Sequence, residues 1–138
     1  MTAFTHIAYL EDKSPSLEQV TEVFEEIYQG TGSTPGLCES EYLIPSRGFL
    51  AEIYRRCAGK VAVVTGRPRK DCDKFLVTHN LVDLFPVCIC MEDAPAKPDP
   101  AGVLMACKGL GVDPANALLV CPLHKYADIP FCLSQCPY

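Results

Sequence analysis

The sequence predicts an α/β fold in which a parallel sheet lies between helices. The run 61–65 is short, continuous and rich in valine, which is typical of a strand buried on both faces. Two more apolar runs, 85–91 and 117–120, follow it, and helix-length segments separate the three runs. Because strands that alternate with helices are joined by crossovers, this order indicates a parallel sheet with right-handed connections.

The N-terminal part of the chain is predicted to be helical. Ser16 and Gln19 have the spacing of a capping box ahead of a helix from Leu17 to Gln29. A loop at 30–36 separates this helix from a second helical segment, 46–57, which carries an apolar stripe.

Two more helices are predicted after the first two strands. Pro68 suits the first turn of a helix that extends from Arg69 to His79. Asp99 can cap the next helix, with Pro100 in its first position. The buried face of that helix is predicted to consist of Val103, Leu104, Cys107 and Leu110.

Two short motifs stand where these strands end, Thr65-Gly66-Arg67-Pro68 and Lys97-Pro98-Asp99-Pro100. A threonine at the carboxyl end of a parallel strand points into the crevice where open α/β sheets bind ligands. Gly66 lets a ligand approach the backbone, and the helix start that follows favours an anion. Lys97 is placed to reach the same crevice. Taken singly, an ordinary strand-turn-helix junction and a solvated turn lysine explain the same residues.

These motifs resemble those of the haloacid dehalogenase-like (HAD) hydrolases, most of which are magnesium-dependent phosphatases. The TGRP motif, the acidic MEDAPAKPDP stretch and the GLGV helix end are most similar to the phosphoglycolate-phosphatase-like branch. The resemblance extends over about residues 17–120. It implies a three-layer Rossmann-like core that is incomplete, a helical cap remnant, and a small phosphorylated metabolite as substrate.

The resemblance also implies roles for individual residues. Thr65 matches the second family motif, in which the hydroxyl and neighbouring N–H groups, here those of Gly66 and Arg67, hold the phosphoryl group. Lys97 matches the third motif and offsets negative charge on nucleophile and phosphate. The neighbouring acids Glu92 and Asp93 are interpreted as solvated.

The expected organisation is one domain, 1–138. Within it, 17–57 are the cap remnant and the return to the core, 58–120 are the α/β core, and 121–138 are a divergent tail.

The nucleophile motif of the family, Asp-x-Asp-x-Thr/Ser, is not evident. The nearest candidate is Asp12-Lys13-Ser14-Pro15-Ser16, which resembles the variant of the ion-pumping ATPases in the same superfamily. In that interpretation Asp12 attacks phosphorus. A surface turn ahead of the first helix explains the same residues.

The acidic loop that binds magnesium in the family is not evident either. Val120 is followed by Cys121-Pro122-Leu123-His124-Lys125 rather than by acids. Mg²⁺ is therefore expected from the resemblance alone. A rival hypothesis for this tail is a tetrahedral zinc site. Its ligands would be Cys121, His124, Cys132 and Cys136. Nine cysteines also give chance pairings, and cysteine often acts as a small buried hydrophobe.

Composition narrows the class of protein. A net charge of −5 without a basic cluster argues against a nucleic-acid surface. No apolar run approaches the roughly 20 residues that a membrane helix needs. An odd number of cysteines and the lack of a leader pattern at the N-terminus predict reduced thiols and a cytoplasmic location.

Three hypotheses remain open: an active phosphatase with Asp12 as nucleophile, a catalytically silent protein that binds a phosphorylated metabolite, and an interaction protein with a zinc-binding tail. The nucleophile strand of the family lies between the strand of Thr65 and the strand ending at Val120. If residues 4–10 do not fill that position, an exposed sheet edge invites formation of a homodimer.

Overall fold

A computed structural model describes residues 15–120, which form two compact units divided between Tyr42 and Leu43. The single-domain organisation over 1–138, with its cap remnant and tail, remains a prediction.

The first unit is built on helix α1 (Leu17–Gln29), as the sequence predicts. Its capping box is present: Ser16 Oγ accepts the Gln19 N–H at 3.2 Å, and Gln19 Oε1 accepts the Ser16 N–H at 2.9 Å. The helix ends at Gly30, whose φ of 81° favours glycine.

A small hairpin occupies the predicted loop at 30–36. Strands β1 (Gly30–Thr31) and β2 (Thr34–Pro35) pair antiparallel, and a 3₁₀ helix (Leu37–Ser40) follows them. The Tyr28 hydroxyl donates to Glu41 Oε1 at 3.0 Å and so ties the end of α1 to the residue after the 3₁₀ helix.

The second unit has the predicted alternation of strand and helix. Its elements are α2 (Arg47–Arg56), β3 (Ala62–Val64), α3 (Arg69–Thr78), β4 (Val87–Ile89) and α4 (Ala101–Leu110). Strands β3 and β4 are parallel, in register from Ala62 opposite Val87 to Val64 opposite Ile89. This confirms the α/β class, and the parallel sheet consists of two strands within residues 15–120.

Helices cover both faces of the strand pair. Val63 and Cys88 pack against the core on the side of α2 and α3. On the opposite face, a Cβ added at Gly102 of α4 would lie 3.2 Å from Val64 and 3.6 Å from Ile89. Successive strand residues point to opposite faces, which accounts for this division. The core on the α3 side consists of Cys72, Leu76, Leu81, Leu84 and Cys90.

The predicted buried face of α4 is wrong in part. Leu104 is 42% exposed, whereas Val103 and Cys107 are buried as expected. The buried residues of α4 are Gly102, Val103, Ala106 and Cys107. Glycine and alanine let the helix backbone approach the sheet closely, so the contacting stripe is rotated toward the small residues.

The predicted strand at 117–120 is also wrong. A 3₁₀ helix (Pro114–Asn116) is followed by residues without strand pairing, and Leu118 and Val120 are 62% and 85% exposed. A strand requires a ladder partner. Its neighbour in the resembling family is the nucleophile strand, and the candidate for that strand, 4–10, lies outside the described residues.

None of the helices within residues 15–120 has both the length and the apolar character that a bilayer-spanning helix needs.

Candidate functional site

Thr65 follows β3 directly and extends its ladder by one hydrogen bond. Its backbone N–H donates to the Ile89 carbonyl at 2.9 Å. Its side-chain Oγ1 accepts the Arg67 N–H at 3.1 Å, which closes the turn after the strand. A hydroxyl that accepts one hydrogen bond keeps its own hydrogen for donation. The hydroxyl therefore lies at the carboxyl end of β3 and accepts a hydrogen bond from its own loop.

The backbone at Gly66 borders open space. A Cβ added there would meet no atom of the described chain within 4 Å. Packing within residues 15–120 therefore does not require glycine at this position. The space leaves room for a ligand to approach the backbone beside Thr65.

Lys97 reaches the same end of β3 from a different loop. Its Nζ donates to the Val64 carbonyl at 3.0 Å. Backbone groups in a strand point alternately to its two edges, and the Thr65 N–H is directed to β4. The Val64 carbonyl therefore points to the opposite edge of β3. The ammonium thus lies at the edge of β3 that faces away from β4, next to the residue that carries the hydroxyl.

The backbone of Arg67 connects the Thr65 loop to the segment that follows β4. Its carbonyl accepts the Met91 N–H at 3.1 Å, so the Thr65 loop and the segment after β4 run side by side. Its guanidinium carbon lies 5.5 Å from the centre of the Phe75 ring, on helix α3. Backbone and side chain therefore have separate contacts in this loop.

The start of α3 carries an anion of this chain itself. The Arg69 N–H donates to both carboxylate oxygens of Glu92, at 3.0 and 3.1 Å. The sequence predicts free N–H groups here that favour an anion. An anionic group does bind at this helix start, but it is the carboxylate of Glu92 and not a ligand.

Asp93 is not a solvated acid. Its Oδ2 accepts the Cys90 N–H at 2.7 Å and forms an ion pair with the Arg69 guanidinium. Arg69 also donates to the Cys88 carbonyl at 3.1 Å. The hydrogen bond from Cys90 and the nearby guanidinium hold the pKa of Asp93 below its usual value. The interpretation as a solvated acid is therefore wrong for Asp93, which is half-buried and paired, whereas Glu92 is exposed as interpreted and in addition accepts the Arg69 N–H.

Sequence analysis did not assign a role to Arg69. The sequence signal for such a role is an arginine at the start of a helix together with an acidic pair after the next strand, but only the folded chain shows that these groups meet.

Asp71, in the first turn of α3, is a buried charged residue at 4% exposure. A carboxylate in that turn is favoured by the helix dipole.

Three cysteine thiols lie beside this site and are expected to be unreactive. Burial raises the pKa of Cys72, Cys88 and Cys90, that of Cys90 to about 11. A thiol with a raised pKa is protonated at neutral pH and is a poor nucleophile or metal ligand. These cysteines belong to the packing of α3 against β4.

The part of the chain described, 15–120, does not supply a magnesium site. No group of three histidine, cysteine or acidic side chains there is arranged to hold a metal ion. Asp99, the acid nearest to Lys97 in sequence, accepts the Ala101 N–H at 2.8 Å through Oδ1 and caps α4. The described residues therefore do not fit the cofactor that the family resemblance implies.

Several predicted site residues lie outside the described residues. These are Asp12, the candidate nucleophile, and the candidate zinc ligands Cys121, His124, Cys132 and Cys136. Their roles remain predictions.

Comparison with known proteins gives a family match for the part of the chain that contains both loops. The family model of the haloacid dehalogenase-like hydrolases matches residues 39–121. Over 107 residues the chain is 55% identical to a protein of Phytophthora nicotianae named imidazoleglycerol-phosphate dehydratase. That alignment covers 78% of this chain and 24% of the relative, so the chain spans about a quarter of the length of the curated relative. No solved structure matches the chain significantly.

The family match covers more than half of the sequence and includes β3, β4 and both loops that meet at Val64 and Thr65. This chain belongs to the haloacid dehalogenase-like hydrolase family.

Proposed function

We propose that this chain is a phosphatase of its family that acts on a small phosphorylated metabolite. The observation that carries the proposal is the hydrogen bond from Lys97 Nζ to the Val64 carbonyl, 3.0 Å long, which puts an ammonium beside the Thr65 loop. A hydroxyl, loop N–H groups and an ammonium together are the donors that a phosphate monoester needs. The relative from Phytophthora nicotianae has a phosphate ester in its name, which supports this substrate class.

In the proposed complex, Thr65 donates its hydroxyl hydrogen to a phosphate oxygen, and the backbone at Gly66 approaches the same group. The Arg67 N–H joins them by exchanging Thr65 Oγ1, its acceptor in the free chain, for a phosphate oxygen. Lys97 offsets negative charge on the phosphate. Its side chain is exposed, so it can exchange the Val64 carbonyl for a stronger, charge-assisted hydrogen bond to phosphate. The edge of β3 that faces away from β4, where the ammonium lies, is the edge at which the family places its nucleophile strand.

Asp12 is the proposed nucleophile. Its carboxylate oxygen attacks phosphorus, the P–O bond to the substrate breaks, and the released alkoxide takes a proton from water. A second water then attacks phosphorus of the aspartyl phosphate, which releases phosphate and restores the carboxylate. Ser14 stands where the family motif has a second aspartate, so this motif offers no carboxylic acid to protonate the leaving group. We therefore expect aryl phosphates, whose leaving groups need little protonation, to be hydrolysed faster than alkyl phosphates.

Members of this family generally use Mg²⁺, and magnesium dependence is part of the proposal on that ground. Residues 15–120 provide no ligand set for the ion, so no step of the mechanism is assigned to it. The cytoplasmic location and a homodimer formed through a sheet edge likewise stay predictions.

The test is steady-state hydrolysis of an aryl phosphate by the purified chain, with and without magnesium. Lys97→Ala and Asp12→Asn should each abolish turnover. Lys108→Ala is the matched control, because Lys108 lies in the last turn of α4 rather than at the Thr65 loop. Turnover that survives in both Lys97→Ala and Asp12→Asn would contradict the assigned roles.

A second function rests on the same hydrogen bond from Lys97 Nζ to the Val64 carbonyl, because an ammonium and a hydroxyl at one strand end can bind phosphate without hydrolysing it. In this alternative the chain binds a phosphorylated metabolite without hydrolysing it. Calorimetric titration with inorganic phosphate separates the two. Binding that is lost in Lys97→Ala, with no turnover by the folded wild-type chain, would assign the silent role.

A further inference from the structure

The outer edge of β4 carries backbone groups that the β3–β4 ladder does not use. In a parallel ladder, alternate residues of a strand bond to opposite sides. Ile89 bonds toward β3, since its carbonyl accepts the Thr65 N–H. Its neighbours Cys88 and Cys90 therefore turn their backbone groups to the outer edge.

Two side chains meet these outward groups. Arg69 Nη2 donates to the Cys88 carbonyl at 3.1 Å, and Asp93 Oδ2 accepts the Cys90 N–H at 2.7 Å. Arg69 and Asp93 also form an ion pair with each other. The donor, the acceptor and the link between them thus form one continuous bridge along the edge.

A neighbouring parallel strand would make the same two hydrogen bonds with a single residue. Its N–H would donate to the Cys88 carbonyl, and its C=O would accept the Cys90 N–H. The Arg69–Asp93 pair therefore takes the place of one residue of an adjacent strand. Charged side chains at strand edges are a known means of preventing unwanted pairing between sheets.

The surface beside this edge would otherwise suit association. A groove of about 510 Å³ is lined by the edge residues Val87 and Cys88, by the charged residues Arg69 and Asp73, and by apolar side chains of α3 and the following turn. Val77 and Val82 in that lining are 68% and 59% exposed. An unpaired strand edge next to apolar surface is a template for pairing with another copy of the same chain.

We propose that Arg69 and Asp93 close the outer edge of β4 against strand addition by a second copy of this chain. The inference is independent of phosphate binding, because it concerns the edge of the sheet and not the loop of Thr65. It also limits the predicted homodimer: while the pair is in place, a sheet-edge dimer cannot use β4.

The test is sedimentation velocity of the double variant Arg69→Met/Asp93→Ala over a hundredfold range of concentration. We expect dimers or larger species at concentrations at least tenfold below those at which the wild-type chain associates. The matched control is Arg47→Met/Asp83→Ala, an exposed ion pair in the same unit whose arginine also donates to a backbone carbonyl, that of Asn80. That pair lies outside the strands, so its removal should leave association unchanged.

A folded double variant that sediments like the wild-type chain would overturn the proposal, as would equal association of the control variant. If the double variant does not fold, amide hydrogen exchange of the wild-type chain and of Asp93→Asn decides. The Cys90 amide should be protected in the wild-type chain, and Asp93→Asn, which loses the charge that holds Arg69, should exchange there at least tenfold faster. Fast exchange of Cys90 in the wild-type chain, or unchanged exchange in Asp93→Asn, would overturn the proposal.

Discussion

Replacing Thr65 by valine tests the proposed phosphate site with little change in shape. Valine keeps the branched side chain and the backbone hydrogen bond to Ile89 but removes the hydroxyl. In the free protein the change removes the acceptor of the Arg67 N–H, a 3.1 Å hydrogen bond in a partly exposed loop. An ordinary hydrogen bond contributes about 0.5–1.5 kcal/mol to stability, and water can replace this one in part, so the loss of stability should lie at the lower end.

The expected effect on phosphate binding is larger. A hydrogen bond to a charged group contributes about 1.5–3 kcal/mol. Since about 1.4 kcal/mol corresponds to a tenfold change in affinity, Thr65→Val should raise the Kd for inorganic phosphate about 10- to 100-fold. Thr65→Ser is the matched control, because it keeps the hydroxyl and should stay within about threefold of the wild-type Kd.

Calorimetric titration with inorganic phosphate measures both variants, and urea denaturation measures their free energies of unfolding. A Thr65→Val protein that binds phosphate as tightly as the wild-type chain would refute the assignment of the hydroxyl. Equal weakening by serine and valine would mean that the shape of the loop, not the hydroxyl, is responsible.

Three other predictions concern packing, pH dependence and thiol reactivity. Leu81 is 1% exposed, so Leu81→Ala should lower the free energy of unfolding by about 2–5 kcal/mol in urea denaturation, whereas Val77→Ala, at 68% exposure, should change it by less than about 0.5 kcal/mol. The pKa of Asp93 is lowered in the folded chain from its ordinary value of 3.8, so its contribution to stability is present above that value and is lost as pH falls through the folded pKa. Asp93→Asn should therefore flatten the dependence of the free energy of unfolding on pH below about pH 4. An unchanged dependence would contradict the pairing of Asp93 with Arg69 and Cys90. Cys90 is buried and its pKa is raised to about 11, so it should react with an aromatic disulfide reagent only after unfolding, whereas the exposed Cys57 should react in the folded chain. Peptide mapping identifies which cysteine is labelled. Rapid labelling of Cys90 in the folded chain would contradict its burial.

Local patterns in the sequence were sufficient where the interactions are themselves local. The capping box of Ser16 and Gln19 joins residues three apart, and α1 has the predicted bounds. Helices α3 and α4 begin within one residue of the predicted position, next to Pro68 and Pro100. The Thr65 and Lys97 motifs meet at one end of β3, because the loops after parallel strands lie at the same edge of a sheet.

Predictions failed where the partner of a group is distant in sequence. Leu104 is apolar and at helical spacing, yet the small residues of α4 determine which stripe approaches the sheet. Residues 117–120 have strand composition but no ladder partner among the described residues. Strand propensity alone does not provide the neighbouring strand that a ladder requires.

The sequence by itself determined the α/β class, the family and the positions of the Thr65 and Lys97 loops, because hydrophobic period and turn chemistry are encoded within a few residues. Only the tertiary structure decided what the charges do. Arg69 and Asp93 are 24 residues apart in the chain, yet they form an ion pair across the edge of β4. No pattern of residue types specifies that contact, since the parallel crossover through α3 is what brings the start of the helix and the end of β4 together.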